Sequence, residues 1–364
     1  MILGLFVCTS GMDAFTCGNP SLFDEHLLAP VPAVAGPPAS ASVPAALGEL
    51  IAAFEAEART YGPDLDVALC TLSMNDAGAI VVPGHGAFEL TPWSTKQLAS
   101  RVGVRWDRWF SGIDAELRTP EITRRLAREP GVVRLKTTIG GERPPTLRGF
   151  VSPSYATIPD TMIARRILSA IGPDARIIRA ATTDRSTSYV VQVGECLHLR
   201  GPAHVGDVVG GLLVRNSDVG HSCLFISLHL TRLVCKNGMV FSQHEAVLRR
   251  THRRVDFRVF SQRLGTCLLD LPFRIPSAGR LLEQSGHHPV QHVEGAIVNI
   301  FRKAHVRRRL VPIMLAAYEQ EPSPTVFGIS QAITLGAQDP SIPPEGRLVL
   351  EHAAGNYIQT FAGP

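Results

Sequence analysis

The feature that most constrains this fold is a period-two alternation of apolar residues on both sides of a polar turn. One strand is predicted at residues 209–214 and a longer one at 223–234, and residues 216–220 between them have a turn composition. We expect Asn216, and Asn237 in a second turn, to adopt the left-handed conformation. The apolar residues that share one face of the longer strand are Leu224, Ile226, Leu228 and Leu230. The pattern predicts an antiparallel hairpin with one buried face.

Three segments carry more than strand patterning. They are TLRGFVSPSYATIPD at 146–160, VRNSDVGHSCLFISLHLTRLVCKNGMV at 214–240 with RRTHRR at 249–254, and TVFGISQAITLGAQDPSIPPEGRLVLEHAAGNYI at 325–358. Together they resemble the phage- and plasmid-borne proteins grouped as domain of unknown function family 932. In that family a similar turn precedes a strand, a Cys-x-Asn-Gly element and a basic stretch. The resemblance implies a mobile-element protein but no activity, because the family has no assigned function.

The order of predicted elements favours an α+β fold, with a mostly antiparallel sheet, packed helices and a helical C-terminal third. Residues 1–42 include a Pro-, Ala- and Ser-rich stretch and are expected to be a flexible tail or linker. Residues 43–364 are expected to form a single domain. Within it we predict a helical part at 90–130, a sheet core at 132–260 and a helical part at 275–364.

Cysteine usage and the N-terminal residues indicate the compartment. Seven cysteines without a CxxC pair are typical of reduced thiols, so a cytoplasmic protein is predicted. The apolar start MILGLFVCTSGM is too short to span a bilayer, so no membrane association is expected, and Met12 is an alternative start. The net charge of +4 is modest, and any surface for a polyanion must therefore come from local clustering.

Such clustering occurs twice. The first basic cluster comprises Arg249, Arg250, Arg253, Arg254 and Arg258. The second basic cluster comprises Arg302, Lys303, Arg307, Arg308 and Arg309, and helical spacing would align Arg302, His305 and Arg309. Arginine suits phosphate, and Phe241, Phe257 and Phe260 are candidates for stacking on bases. We therefore predict binding of nucleic acid, preferably single-stranded DNA, with annealing or recombination as the concrete role and a homo-oligomer left open. A solvated charged face is the alternative interpretation.

Other chemistries have less support. Cys196 with His198, and His221 with Cys223, each share a side of a strand, and the two pairs would form a zinc site if they met. Buried thiols and core histidines are the favoured interpretation, so no metal and no cofactor are predicted. No hydrolase or phosphate-loop motif is present, and a Cys235 nucleophile with His244 or His252 has no further support, so we predict no enzyme.

Two further functions stay open. A protein-interaction factor in phage–host defence or counter-defence is the first. The second is a helix-turn-helix regulator, in which Ala99 allows close helix approach, Gly103 makes the turn, and Arg105, Asp107 and Arg108 lie on the recognition helix. A helical pair that merely packs on the sheet is favoured over that regulator, because the spacing is common.

Overall fold

The computed structural model describes residues 46–104, 112–140, 144–173, 175–199, 206–232, 238–241 and 248–361. In this part of the chain the predicted class is confirmed: helices accompany mostly antiparallel sheets, and the last third is helical. Across the same residues, no helix is both long enough and apolar enough to cross a membrane. The tail predicted at residues 1–42 lies outside the described residues.

Nine helices and twelve strands are formed by the described residues. The helices are α1 (Leu47–Ala58), α2 (Pro92–Arg101), α3 (Ala115–Leu126), α4 (Asp160–Ile171), α5 (Phe257–Ser285), α6 (Val293–Lys303), α7 (Val311–Gln320), α8 (Val326–Gly336) and α9 (Pro344–Gln359). The strands are β1 (Leu65–Ala68), β2 (Ser73–Met74), β3 (Ile80–Val82), β4 (Gly86–Leu90), β5 (Val132–Thr138), β6 (Thr146–Val151), β7 (Ile177–Thr182), β8 (Thr187–Leu199), β9 (Gly206–Asn216), β10 (Leu224–Arg232), β11 (Gly238–Phe241) and β12 (Leu248–Arg250).

The first sheet has the order β1-β5-β6-β4-β3-β2. Its pairs are antiparallel except β4 with β6, which run parallel. Two helices cover it, and Leu98 of α2 and Ile122 of α3 share a core with Leu135 and Leu147 of the sheet. α2 begins where the Thr91 hydroxyl accepts a hydrogen bond from the Ser94 amide, with a proline at the first helical position.

The second sheet has the order β11-β10-β9-β8-β7, and β12 pairs with β10 as well. Here the predicted hairpin is confirmed: β9 and β10 are antiparallel, and residues 217–223 connect them. We call residues 217–223 the hairpin turn. The prediction of one buried face is wrong, because residues on both faces of this sheet are buried. Ile226 and Leu228 share a core with α5, whereas Val190 and Leu213 pack with Leu348 of α9 on the opposite face.

α5 is a 29-residue helix of which only the end, from residue 275, falls in the predicted helical part, and its first residues overlap the predicted sheet core. Pro272 and Pro276 lie inside it, and each removes a backbone hydrogen bond, which disfavours a helix when the sequence is considered alone. Burial against the second sheet offsets this loss, because residues such as Leu264, Leu271 and Leu282 belong to the same core as β8, β9 and β10. Tertiary packing therefore decides this element.

The C-terminal helices form their own core. Phe301 of α6, Met314 of α7, Ile333 of α8 and Leu350 of α9 belong to it. The expected alignment of Arg302, His305 and Arg309 on one helix is wrong. α6 ends at Lys303, His305 has a positive φ of 54°, and Arg309 lies in a separate 3-10 turn.

The hairpin turn joins the two sheets. Val219 accepts hydrogen bonds at its carbonyl from Trp93 Nε1 (3.0 Å) and Gln97 Nε2 (2.9 Å), both on α2. A Cβ atom on Gly149 of β6 would lie 2.9 Å from the Val219 Cβ. The close approach of β6 to the hairpin turn therefore requires a glycine at this position. The expectation that Asn216 adopts a left-handed conformation is wrong, since among described non-glycine residues only Arg254 and His305 have positive φ. Asn237 lies outside the described residues.

Candidate functional site

The first basic cluster surrounds the start of α5. Arg249 and Arg250 lie on β12, whose residues pair with the beginning of β10. Arg249 Nε donates to the Cys223 sulfur (3.3 Å), and Arg250 donates to the Arg254 carbonyl (3.2 Å). Arg253, Arg254 and Arg258 are exposed. The five predicted arginines thus lie on β12, on the segment that follows it and in the first turn of α5.

An aromatic ring lies within this cluster. Phe257, the first residue of α5, is 43% exposed and stands between Arg254 and Arg258 in the sequence. The neighbouring Asp256 caps the helix: its carboxylate accepts hydrogen bonds from the backbone amides of Arg258 (2.9 Å) and Val259 (3.1 Å). Of the other two predicted stacking residues, Phe260 is 3% exposed and belongs to the core, and the Phe241 side chain lies outside the described part. Of the two whose side chains the structure describes, Phe257 is the exposed one.

Tyr155 ties the cluster to the hairpin turn. Its backbone bridges to Arg253, and its ring stacks on His252 with centroids 4.9 Å apart and an 8° interplanar angle. The Tyr155 hydroxyl donates to the Ser217 carbonyl (2.6 Å). Burial lowers the pKa of His252 to about 4, so this ring is neutral at pH 7 and does not add to the positive charge. The basic segment is thus fixed by the same turn that joins the sheets.

The second basic cluster lies in a different layer. Arg302 and Lys303 end α6, and Arg308 and Arg309 are exposed in the following turn. α6 packs in the C-terminal core with α9, which covers the face of the second sheet opposite α5. The first cluster instead lies on β12 and around the start of α5. The structure therefore does not unite the two clusters on one helix or one face.

A polar cleft, which the sequence analysis missed, opens beside the hairpin turn. It encloses about 80 Å³, enough for several water molecules. Its charged lining residues are Glu57, Arg148, Asp160, Asp184, Arg185 and Asp218. The Arg148 guanidinium donates to Asp218 (2.5 Å) and lies 3.5 Å from the centroid of the Tyr61 ring. These residues are distant in sequence. Three of them, Arg148, Asp160 and Asp218, lie in the segments that carry the family resemblance. That shared location was the one signal in the sequence that could have indicated the cleft.

Among the carboxyl groups of the cleft, Asp160 has the most strongly shifted pKa. Burial raises its pKa to about 7, although hydrogen bonds from Asn216 and Thr187 oppose the rise, and the charges of Asp218 and Glu57 reinforce it. Asn216 itself is 1% exposed and donates to the Ile158 carbonyl (2.8 Å) and to Asp160 (3.0 Å). A carboxyl that titrates near neutrality in a polar cleft is suited to proton transfer or to pH-dependent binding.

The zinc site that the two cysteine–histidine pairs would form if they met does not occur, because the pairs lie far apart. Cys196 lies opposite Val209 on β9, whereas Cys223 precedes β10 beyond the other end of β9. Seven residues of strand, roughly 23 Å, separate them, because an antiparallel hairpin places the start of β10 beside the end of β9. His221 contacts the Trp93 ring edge-on at 4.7 Å between centroids.

Several predicted site residues fall outside the described part of the chain. They are Arg105, Asp107 and Arg108 of the helix-turn-helix alternative, and Cys235 and His244 of the nucleophile alternative. Ala99 is fully buried in α2 and Gly103 follows that helix with a positive φ of 69°. Both observations fit the packing interpretation as well as the regulator.

Comparisons with known proteins add no identification: no family model, no curated protein and no solved structure matches this chain. The resemblance based on the sequence motifs therefore stays a prediction.

Proposed function

We propose that this protein binds single-stranded nucleic acid, DNA by preference, through the first basic cluster. The observation that carries the proposal is an exposed aromatic ring, Phe257, with exposed Arg254 and Arg258 beside it in the chain. Single-strand binding needs this combination, because bases stack on aromatic faces while guanidinium groups hold the phosphates. In a duplex the bases stack on each other, so they are not available to stack on the Phe257 ring.

Charge around Phe257 supports the same conclusion. Among the described residues neither Arg254 nor Arg258 forms an ion pair with a carboxylate, and the nearby Asp256 caps the helix. The start of a 29-residue helix also carries a partial positive charge that favours an anion. The second basic cluster, with Lys303, Arg308 and Arg309 exposed, would supply separate phosphate contacts. The family resemblance implies a mobile-element protein but no activity, and we propose strand annealing because it is a role that single-strand binding serves.

The experiment is fluorescence anisotropy with labelled single-stranded and double-stranded oligonucleotides over a salt series. We expect tight single-strand binding that weakens steeply with salt. Replacing Arg254 and Arg258 together by alanine should reduce the slope of log K against log salt by about 0.7 for each lost phosphate contact. Phe257→Ala should cost about 1–3 kcal/mol at every salt concentration and leave the slope unchanged.

Arg165→Ala is the matched control. Arg165 is an exposed arginine of α4 that pairs with Glu55, far in sequence from either cluster. Its replacement should leave affinity unchanged. Absence of binding at low salt, or equal losses in the control and in the cluster variants, would refute the proposal.

Contact with another protein is the second candidate, and a specific observation favours it. Leu269 and Phe273 are 74% and 79% exposed and stand four residues apart on the outer side of α5. If the partner is a second copy, wild-type protein should sediment as an oligomer that dissociates when both residues become lysine. Identical monomeric sedimentation of the two proteins would exclude self-association through this helix.

A further inference from the structure

Three metal-binding side chains meet on one face of the β8–β9 hairpin. Leu197 and Leu199 point toward α5, because a Cβ atom on Gly279 would lie 3.0 and 3.2 Å from them. Residues that alternate with them face the other way. Cys196 and His198 therefore share the face opposite α5.

Asp207 of β9 completes the set. It lies directly opposite His198 in the strand register, and the Asp207 Oδ1 is 2.7 Å from the His198 Nδ1. One ligand atom from each of Cys196, His198 and Asp207 lies within 4.8 Å of the other two. A register shift between Gln192 and Cys196 creates this arrangement, since it places the imidazole opposite the carboxylate and the thiol diagonally beside them.

We propose that Cys196, His198 and Asp207 bind a Zn²⁺ ion, with water as the fourth ligand. A thiolate and an imidazole select zinc over the hard cations Mg²⁺ and Ca²⁺, and a carboxylate oxygen is an accepted third ligand. The thiol proton passes to solvent when the metal binds. Three protein ligands with one open position are typical of zinc sites that exchange a water for a substrate or partner group.

The required adjustment is small. Zinc bonds of about 2.1 Å at a tetrahedral angle separate a nitrogen and an oxygen ligand by roughly 3.4 Å. The His198 and Asp207 atoms, now 2.7 Å apart, must therefore move by less than about 1 Å. Both side chains are at least half exposed (75% and 50%), so the movement displaces no core residue.

This site is independent of the proposed nucleic-acid surface. Asp207 is nine residues along β9 from Asn216, which adjoins the hairpin turn, so roughly 30 Å of strand separates the two regions. Loss of metal binding should leave oligonucleotide affinity unchanged, and loss of oligonucleotide binding should leave the metal site intact. Failure of one proposal is thus distinguishable from failure of the other.

The experiment is titration of the full-length, reduced protein with Co²⁺, followed by displacement with Zn²⁺. We expect one equivalent to produce the visible bands of tetrahedral Co²⁺ and a thiolate-to-cobalt charge-transfer band, both of which Zn²⁺ abolishes. Cys196→Ser should remove the charge-transfer band. His198→Asn and Asp207→Asn should each weaken binding at least about tenfold, the scale on which even outer-shell partners act.

Cys267→Ser is the matched control, because Cys267 is a half-buried cysteine on α5. This variant should retain the full spectrum. No charge-transfer band in wild-type protein, or a band that survives Cys196→Ser, would overturn the proposal. Equal affinities of wild type and Asp207→Asn would overturn the assignment of the third ligand.

Discussion

Replacing Asp160 by asparagine removes the carboxyl whose ionisation the polar cleft opposes. The folded protein holds the pKa of Asp160 at about 7, against 3.8 for the unrestrained side chain, because burial disfavours the charged form. Between these two values the unfolded state has lost the proton and the folded state has kept it. The free energy of unfolding of the wild type therefore falls as pH rises through this window.

The magnitude follows from the two pKa values. Their difference, at 1.36 kcal/mol per pH unit, amounts to about 4 kcal/mol, of which about 3 kcal/mol falls between about pH 5 and pH 8. Asparagine keeps an acceptor for Asn216 and Thr187 but cannot ionise. We expect Asp160→Asn to gain stability relative to the wild type by this amount on going from the lower to the higher pH.

The assay is urea denaturation of both proteins, followed by circular dichroism across that pH range at constant ionic strength. Asp114→Asn is the control, because Asp114 is exposed and its side chain makes no cap hydrogen bond at the start of α3. Its stability should follow that of the wild type at every pH. Parallel curves for wild type and Asp160→Asn would refute the reasoning, because they would mean that Asp160 ionises freely in the fold.

Three other substitutions test the packing. Fully buried Glu351 accepts hydrogen bonds of 2.6 and 2.7 Å from Arg179. Glu351→Gln removes the negative charge of this pair and should lower the free energy of unfolding by about 3–5 kcal/mol in urea denaturation at pH 7. Burial alone would raise the pKa of Glu351, but Arg179 outweighs it and holds the pKa at about 2, so the pair persists until strongly acidic pH. Gly149→Ala should cost about 1–3 kcal/mol through its clash with Val219, whereas Gly48→Ala, with nothing within 4 Å in α1, should stabilise by about 0.5–1 kcal/mol. Equal effects of the two alanines would contradict the close approach.

The family resemblance and the packing of the hairpin turn concern the same residues. Asn216 is held by hydrogen bonds to Ile158 and Asp160, Asp218 pairs with Arg148, and Ser217 accepts from Tyr155. The quoted segments 146–160 and 214–240 thus contact one another in space. Side chains that bridge elements distant in the sequence account for the polar residues of this turn, without any appeal to left-handed backbone at Asn216.

Local patterns by themselves determined several elements of this protein. Alternation of apolar residues predicted β9 and β10, because burial acts on alternate residues of one strand. The arginines of both clusters were also visible, since charge density is a property of consecutive residues.

Only the tertiary structure decided the rest. The sheet overrode the two prolines of α5, because long-range burial outweighs a lost backbone hydrogen bond. The tertiary structure also separated the two basic clusters and gathered Arg148, Asp160 and Asp218 into one cleft. It placed Asp207, and not His221 or Cys223, beside Cys196 and His198. Each outcome depends on strand register and layer order, and these are fixed by contacts between residues that no local pattern brings together.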